Sequence, residues 1–320
     1  MRNEFIKRLE ALTEKDPRLL FITGDLGFGV IENLAKRFPK QYLNVGVAEQ
    51  NMIGVATGLA LEGRIAVAYS IGNFPTLRCL EQIRNDAAYH GANVKVVCVG
   101  GGFSYGSLGF SHHATEDLSI LRALPGLTVV APGDLWEAGE ATEAVIRAQG
   151  TCYLRLDKSS AGWTNRPGEK FELGRARLLR EGNDATIIAA GGILAVALSG
   201  AEKLAAQGIQ CRVLSMHTIK PLDTEAILGA CRETGGIVTL EEHVVEGGLG
   251  GAVAETCLEE ENRPKFFHRM GLRGGFATIV GNQDYLREKH SMDEKSLVAK
   301  VADLVARGRE RRPQSLATSR

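Results

Sequence analysis

Residues 42–63 read YLNVGVAEQNMIGVATGLALEG, and this stretch decides how the first half of the chain folds. Tyr42 to Val47 is apolar like a short buried strand, whereas the Ala-, Met- and Leu-rich pattern from Gln50 predicts a helix that ends at Gly63. Glu49 therefore lies where a strand passes into a helix. A carboxyl group among apolar neighbours is costly unless it finds a partner or keeps a proton. Either it caps the helix, which the helix dipole favours, or it serves a ligand.

Two glycines lie one turn apart within this predicted helix. Gly54 and Gly58 leave one helix face without side chains, at a cost of about 1 kcal/mol each relative to Ala. A gain in packing should offset that cost. We therefore expect another helix to approach this face closely.

The composition argues against several classes of protein. The chain has 320 residues, and its Lys+Arg and Asp+Glu totals are both 38, so no net charge attracts it to nucleic acid or to an acidic membrane surface. We find no signal peptide and no apolar run long enough to span a membrane. The six cysteines are isolated, which fits neither a zinc site nor a disulfide framework. We expect a cytoplasmic protein.

Strand and helix patterns alternate along the whole chain, which predicts an α/β fold with mainly parallel sheets flanked by helices. The pattern lapses between the two halves, where Ser, Gly, Asn and Pro predominate. We predict one domain at 1–160, a linker at 161–175, a second domain at 176–307 and a disordered tail at 308–320.

A long loop, GGFSYGSLGFSHHATED, follows the buried strand that ends near Gly100, and loops of this length inside a domain are usually functional. It contains His112, His113, Glu116 and Asp117. No second His or Cys cluster complements it, so we expect no metal site on this chain. An alternative is that Glu116 or Asp117 only caps the next helix. The glycine-rich turns GDLGFG, GGFSYG and GGLGG could contact phosphate, although none is a complete phosphate-binding motif.

Several of these segments together resemble one family. NVGVAEQNMIGVATGLALEG, the Asn73–Phe74 pair, LEQI, GFSHHATEDLSILRALPGLTVVAP and the LEEH segment with its GGLGG are similar to transketolases, in order and with matching spacing. The resemblance extends to about residue 305. It is strongest to the separate carboxy-terminal subunit of split transketolases, which carries a pyrimidine-binding domain and a carboxy-terminal domain, with 1-deoxy-D-xylulose 5-phosphate synthase next.

The resemblance implies the cofactor thiamine diphosphate with Mg²⁺. Glu49 matches the glutamate that hydrogen-bonds the aminopyrimidine ring of the cofactor and activates it. Phe74 matches the aromatic residue that stacks on that ring, and the neighbouring Asn73 belongs to the same cofactor-binding segment.

The resemblance also implies residues that contact substrate. His112 matches the catalytic histidine that exchanges a proton or a hydrogen bond with a substrate oxygen, with His113 beside it. Arg155 matches the arginine that holds a substrate phosphate, a task that suits a planar fork of donors.

Three departures from the family pattern stand out. The chain has no GDG segment for the diphosphate and its metal, so a partner chain with a diphosphate-binding domain should supply the Mg²⁺ ligands. Leu108 stands where the family has an aspartate that contacts the donor sugar. The GDLGFG turn also lacks a phosphate-binding serine. The last two differences suggest an unusual or unphosphorylated substrate.

The resemblance therefore implies one subunit of a transketolase-like enzyme that moves a two-carbon ketol unit from a ketose donor to an aldose acceptor. We expect an α2β2 assembly with an amino-terminal subunit, acting on sugars or sugar phosphates. Three alternatives remain. They are the β subunit of a 2-oxoacid dehydrogenase, an activity like that of 1-deoxyxylulose-5-phosphate synthase, and a non-catalytic scaffold subunit.

Overall fold

The structure is a computed structural model, and it describes residues 1–259 and 263–310. The first part of the chain forms six strands, which are β1 (Leu19–Thr23), β2 (Tyr42–Asn44), β3 (Ile65–Ile71), β4 (Val94–Val99), β5 (Leu127–Val130) and β6 (Thr151–Leu156). Its helices are α1 (Arg2–Thr13), α2 (Glu32–Arg37), α3 (Glu49–Leu61), α4 (Leu80–Gln82), α5 (Asp117–Ala123) and α6 (Leu135–Arg147). A π-helical segment, Ile83–Ala88, continues α4.

The second part repeats the alternation. Its strands are β7 (Arg177–Arg180), β8 (Ala185–Ala190), β9 (Cys211–Ser215), β10 (Thr218–Lys220), β11 (Ile237–Val244) and β12 (Phe267–Leu272). Its helices are α7 (Leu194–Ala206), α8 (Thr224–Glu233), α9 (Leu249–Glu259), α10 (Gln283–Lys289) and α11 (Glu294–Glu310). Helix α11 runs three residues into the segment expected as a tail, and 311–320 lie outside the described residues.

The strands form two sheets. The first has the order β10-β5-β6-β4-β3-β1-β2, in which all neighbours are parallel except β10 against β5. The second has the order β12-β11-β8-β9-β7, and only β7 is antiparallel to its neighbour. Two mainly parallel sheets flanked by helices confirm the predicted fold class. Strand β10 belongs by sequence to the second part but pairs with the first sheet.

Helices cover both faces of the first sheet. Alternate residues of β3 point to different apolar clusters, with Ala66 packing in the cluster of α3 and Tyr69 packing in that of α1. Because parallel strands are covered on both sides, the whole of β4 is buried. Even Lys95 in β4 is buried, and its ammonium group donates to two carbonyl oxygens just beyond α6.

The described part of the chain contains no helix partner for α3 on its glycine face. Gly54 and Gly58 are exposed, and a Cβ atom added to either would meet no atom within 4 Å. The predicted close approach of another helix to this face is therefore not observed within the described residues.

Of the described helices, none combines the length and the apolar character that a bilayer-spanning segment requires. All six cysteines are free, buried thiols.

A buried ionic cluster joins the two sheets, and Arg155 at the end of β6 is its centre. Its guanidinium lies 3.7 Å from an Asp117 oxygen and 3.4 Å from an Asp157 oxygen, and it donates to the Glu242 carbonyl at 2.9 Å. Burial alone would lower the pKa of Arg155, but the two carboxylates raise it. Only 3% of its side chain is exposed. Arg155 is therefore buried and paired with carboxylates in this chain, and its contact with a substrate phosphate stays a prediction.

Replacing Arg155 should destabilise the fold. In Arg155→Met, two buried carboxylates lose their cation, so we expect the free energy of unfolding to fall by about 3–5 kcal/mol. The measurement is urea unfolding at neutral pH. Arg147→Met is the control, since Arg147 is 72% exposed and its ion pair with Glu143 should contribute less than about 1 kcal/mol. Equal losses in the two variants would contradict the role of Arg155 in joining the sheets.

Candidate active site

Glu49 is the first residue of α3, directly after the turn that follows β2. Ala48 occupies the cap position and no side chain caps the helix, so the capping interpretation of Glu49 is not observed. The Glu49 side chain is buried, and its Oε2 lies 3.2 Å from Nη1 of Arg78. A buried carboxylate with one exposed cationic partner can exchange that partner for a ligand.

Arg78 connects Glu49 to Phe74. Its guanidinium carbon lies 4.0 Å from the centre of the Phe74 ring, in addition to the ion pair with Glu49. Half of the Arg78 side chain is exposed to solvent. A flat group with N–H donors therefore fits between the Phe74 ring and the Glu49 carboxylate. The Arg78 side chain now occupies this space, and it can rotate outward into solvent.

The long histidine loop lies against the segment that carries Phe74. Asn73 donates a hydrogen bond from its side-chain amide to the His113 carbonyl oxygen. The His112 ring stands edge-on to Phe74, with centroids 5.2 Å apart. The Nδ1 atom of His112 is 3.1 Å from the Ser111 hydroxyl. The structure thus brings together Glu49, Asn73, Phe74 and His112, which lie on three separate segments.

The two adjacent histidines occupy different environments. His112 is half-buried beside Phe74, whereas the ring of His113 is buried edge-on to Phe103, with centroids 5.1 Å apart. Burial lowers the pKa of His113. His113 is therefore neutral near pH 7, and Nδ1 of its ring has no partner among the described residues. Of the two, His112 is better placed to contact a substrate.

The capping role considered for Asp117 and Glu116 is not observed either. Glu116 precedes α5 without a side-chain hydrogen bond to the helix. Asp117 instead accepts a hydrogen bond from the Tyr153 hydroxyl at 2.6 Å and faces Arg155. The Asp117 carboxylate belongs to the buried cluster that joins the sheets.

A carboxylate of the same chain binds the glycine-rich turn after β11. Glu241 accepts hydrogen bonds from the backbone N–H groups of Leu249 and Gly250 at the start of α9, at 2.7 and 2.8 Å. The N–H groups that could have cradled a phosphate in this GGLGG turn therefore hold a carboxylate of the same chain.

A cavity of about 400 Å³ opens next to Phe74 and Arg78, and Asn73 and His113 also line it. Large exposed apolar side chains surround this cavity, among them Phe110 at 61% and Phe276 at 71% exposure. No sequence motif points to Arg78, Phe110 or Phe276 as members of this site. Arg78 could have been noticed as a lone cation in the otherwise apolar segment after Phe74, whereas only the fold reveals the two phenylalanines as neighbours.

Two family descriptions match the chain in order. They are "Transketolase, pyrimidine binding domain" over residues 1–162 and "Transketolase, C-terminal domain" over residues 174–279. Residues 42–63, Phe74 and the histidine loop fall in the first match, and the buried LEEH segment falls in the second.

Individual relatives match over almost their full length. A 6-deoxy-6-sulfo-D-fructose transketolase subunit from Clostridium sp. (strain MSTE9) is 39% identical over 308 residues, which are 96% of this chain and 95% of the relative. A putative transketolase C-terminal section from Methanocaldococcus jannaschii is 36% identical and covers 95% of both chains. A solved split-gene transketolase, described as an inactive β4 tetramer, matches with a TM-score of 0.87 and 36% identity over 95% of this chain and 98% of its own. The sequence motifs, the two matched domains and these relatives agree, and the chain belongs to the transketolase family.

Proposed function

We propose that this chain is the carboxy-terminal subunit of a split transketolase, which moves a two-carbon ketol unit from a ketose donor to an aldose acceptor with thiamine diphosphate. The observation that carries the proposal is the contact of Phe74 with both Arg78, which pairs with Glu49, and His112, beside an open cavity that Phe74 and Arg78 line. Relatives that are themselves described as transketolase subunits or sections, and that this chain spans almost completely, support a separate subunit.

The residues at the cavity fit the pyrimidine end of the cofactor. Arg78 already places a flat, cationic N–H donor on the Phe74 ring and against the Glu49 carboxylate. An aminopyrimidine is also flat and offers a ring nitrogen that can share a proton with a carboxylate. Phe74 would therefore stack on the ring, and Glu49 would hold the proton at its N1′ atom. When bound, thiamine diphosphate supplies a carbon nucleophile and an electron sink for cleavage beside the ketose carbonyl.

His112 would act on the substrate. Its ring lies against Phe74, so it would be close to a substrate bound beside a cofactor that stacks on Phe74. An imidazole there can pass a proton to or from a sugar oxygen. Asn73 would support it indirectly, because its hydrogen bond to the His113 carbonyl holds the histidine loop against the Phe74 segment.

The diphosphate and Mg²⁺ would be held by a partner subunit. Within 1–259 and 263–310, no group of three or more His, Cys, Asp and Glu side chains is arranged to hold a metal ion. Exposed apolar side chains offer a surface for that partner. Leu77, Phe110 and Phe276 line the cavity, and Leu108 and Val280 lie on the segments that carry Phe110 and Phe276. The open glycine face of α3 offers a second surface, suited to another copy of this chain. Together they support an α2β2 assembly.

Substrate recognition would differ from that of a transketolase with the usual aspartate. Leu108 is 54% exposed in the histidine loop and offers no acceptor for a sugar hydroxyl. Arg155 is buried, and its contact with a phosphate on the sugar stays a prediction. We therefore propose a ketose donor that is recognised in part by apolar contact at Leu108.

Removing the carboxylate of Glu49 should abolish turnover. In Glu49→Gln the side chain can no longer take the pyrimidine proton, and we expect ketol transfer by the assembled complex to fall by about 10²–10⁴-fold. The assay measures the consumption of ketose donors by the complex of this chain with its partner subunit, after the composition of the complex has been determined. Glu62→Gln, an exposed change at the other end of α3, is the control. Near-normal turnover in an intact Glu49→Gln complex would refute the role of Glu49.

Removing Arg78 should not weaken cofactor binding. In Arg78→Ala the guanidinium no longer competes for Glu49 and Phe74, so we expect the Kd for thiamine diphosphate to be unchanged or lower. Phe74→Ala should instead raise that Kd by about 2–12-fold, the effect of one lost aromatic stack. Calorimetric titration of the assembled complex measures both, with the exposed Arg84→Ala as control. If Arg78→Ala weakens binding as much as Phe74→Ala, then Arg78 is itself a cofactor contact.

The partner is tested by native mass spectrometry of the chain purified from its own host with thiamine diphosphate and Mg²⁺ present. We expect a second chain to co-purify and the complex to hold the cofactor. A homodimer with tightly bound cofactor and no second chain would refute the shared site. Decarboxylation of pyruvate-like acids by the recovered complex, without ketol transfer, would favour the 2-oxoacid dehydrogenase alternative.

A further inference from the structure

A second cavity lies in the carboxy-terminal domain and is unrelated to the site described above. It is an open cleft with a volume of about 650 Å³, and it is bordered by β12, the turn between α10 and α11, and one face of α11. It shares no lining residue with the cavity beside Phe74. Its size is that of a small-molecule site rather than of a surface for a macromolecule.

The walls of this cavity are strongly basic. Arg269 and His268 come from β12, Arg273 follows that strand, and the other cations are Lys289, His290 and Lys300. The cavity has one lining carboxylate, Asp303, and its oxygen already accepts from Arg307 at 2.8 Å. Among the residues that the structure describes, the two arginines and two lysines of the cavity take part in no salt bridge. The cavity therefore holds an uncompensated positive charge.

Two of these groups are held by contacts within the domain. The Arg269 Nη1 atom donates to the Val245 carbonyl at 2.7 Å, and the side-chain carbons of Arg269 lie against Gly250 of α9. His290 stacks on Phe103 with centroids 5.5 Å apart, and its Nε2 atom is buried and has no partner within the described parts of the chain. The His290 ring is therefore fixed in the wall of the cavity, where its chemical environment can report a bound ligand.

The pKa of His268 is affected by the same cations. Burial lowers its pKa, and the nearby charges of Lys300, Arg273 and Arg269 lower it further. Cations that raise the energy of a protonated imidazole will equally lower the energy of an anion in the same space.

We propose that this basic cavity binds a small polyanion with a diphosphate or longer phosphate group. Cations approach from β12, from the segment after it and from α11, so several oxygens of one ligand can be contacted at once. A single carboxylate or orthophosphate could engage only some of them. The ligand would be either a free oligophosphate or the phosphate tail of a nucleotide.

Histidine ring signals in the full-length chain give a direct test. The chain has seven histidines, so their ring resonances can be assigned from single His→Gln variants. Titration with inorganic pyrophosphate should shift the signals of His268 and His290. The signal of His90, which lies far away in the first domain, should not move. Unmoved signals of His268 and His290 at saturating pyrophosphate would overturn the proposal.

Calorimetric titration of two charge-reversal variants on α11 tests the location. Lys300→Glu lies in the cavity wall and should weaken pyrophosphate binding at least tenfold. Lys295→Glu makes the same charge change on an exposed position of α11 outside the cavity and should stay within twofold of the unmodified chain. Arg273→Glu is a second cavity variant in an exposed segment, in case Lys300→Glu disturbs the helix. Equal weakening by Lys295→Glu would show only diffuse electrostatic attraction and would contradict a site.

Comparing the affinities of several ligands distinguishes a free oligophosphate from the phosphate tail of a nucleotide. Binding of ADP more tightly than pyrophosphate would support a nucleotide ligand, and similar binding of the two would support a free oligophosphate. Orthophosphate that bound as tightly as pyrophosphate would contradict the requirement for several linked phosphates. Because none of these readouts uses enzymatic activity, they stand independently of the proposed ketol transfer.

Discussion

The buried charge of Arg155 is the constraint on which the rest of the structure depends. An arginine inside a protein must be matched by carboxylates or carbonyl oxygens, and here these come from Asp117, Asp157 and the Glu242 backbone. Asp117 begins α5 directly after the histidine loop, and Glu242 lies in the second sheet. One ionic cluster therefore fixes the position of the loop and the packing of the two sheets. Gly101 must lack a side chain beside it, because a Cβ would lie 2.0 Å from the Arg155 side chain.

Three consecutive residues of β11 connect the second sheet to this cluster. Glu241 holds the start of α9, and burial raises its pKa to about 7. Glu242 accepts from the Phe103 backbone N–H and pairs with Arg287. His243 lies 3.8 Å from Asp117, and burial lowers its pKa to about 4. The LEEH segment, which resembles a family motif in the sequence, thus acts in this chain as the contact between the sheets.

The candidate active site contains an ion pair, Glu49 with Arg78, that is open to solvent on the Arg78 side. Glu49 is held by the start of α3, while its partner Arg78 is half exposed and free to leave. The surrounding rim is apolar, with Leu77, Phe110 and Phe276 open to solvent. A buried carboxylate with a replaceable partner and an apolar rim is a site that a second subunit can close, and closure would exclude water from Glu49.

The sequence by itself determined the elements whose signals are local. Strand β4 is mostly apolar, and the strand expected to end near Gly100 ends at Val99. The family motif singled out Glu49, Phe74 and His112; the structure links them through Arg78 and the Phe74 ring, and their roles stay predictions. Only the tertiary structure decided the rest. The edge strands β7 and β10 have three or four residues each, too few for a periodic signal, and β10 finds its partner in the other sheet. Whether Arg155 faces a ligand or two buried aspartates, and whether Lys300 lies beside Arg269, depends on contacts between distant segments. Charge is local in the sequence, but its neutralisation is decided only when the chain has folded.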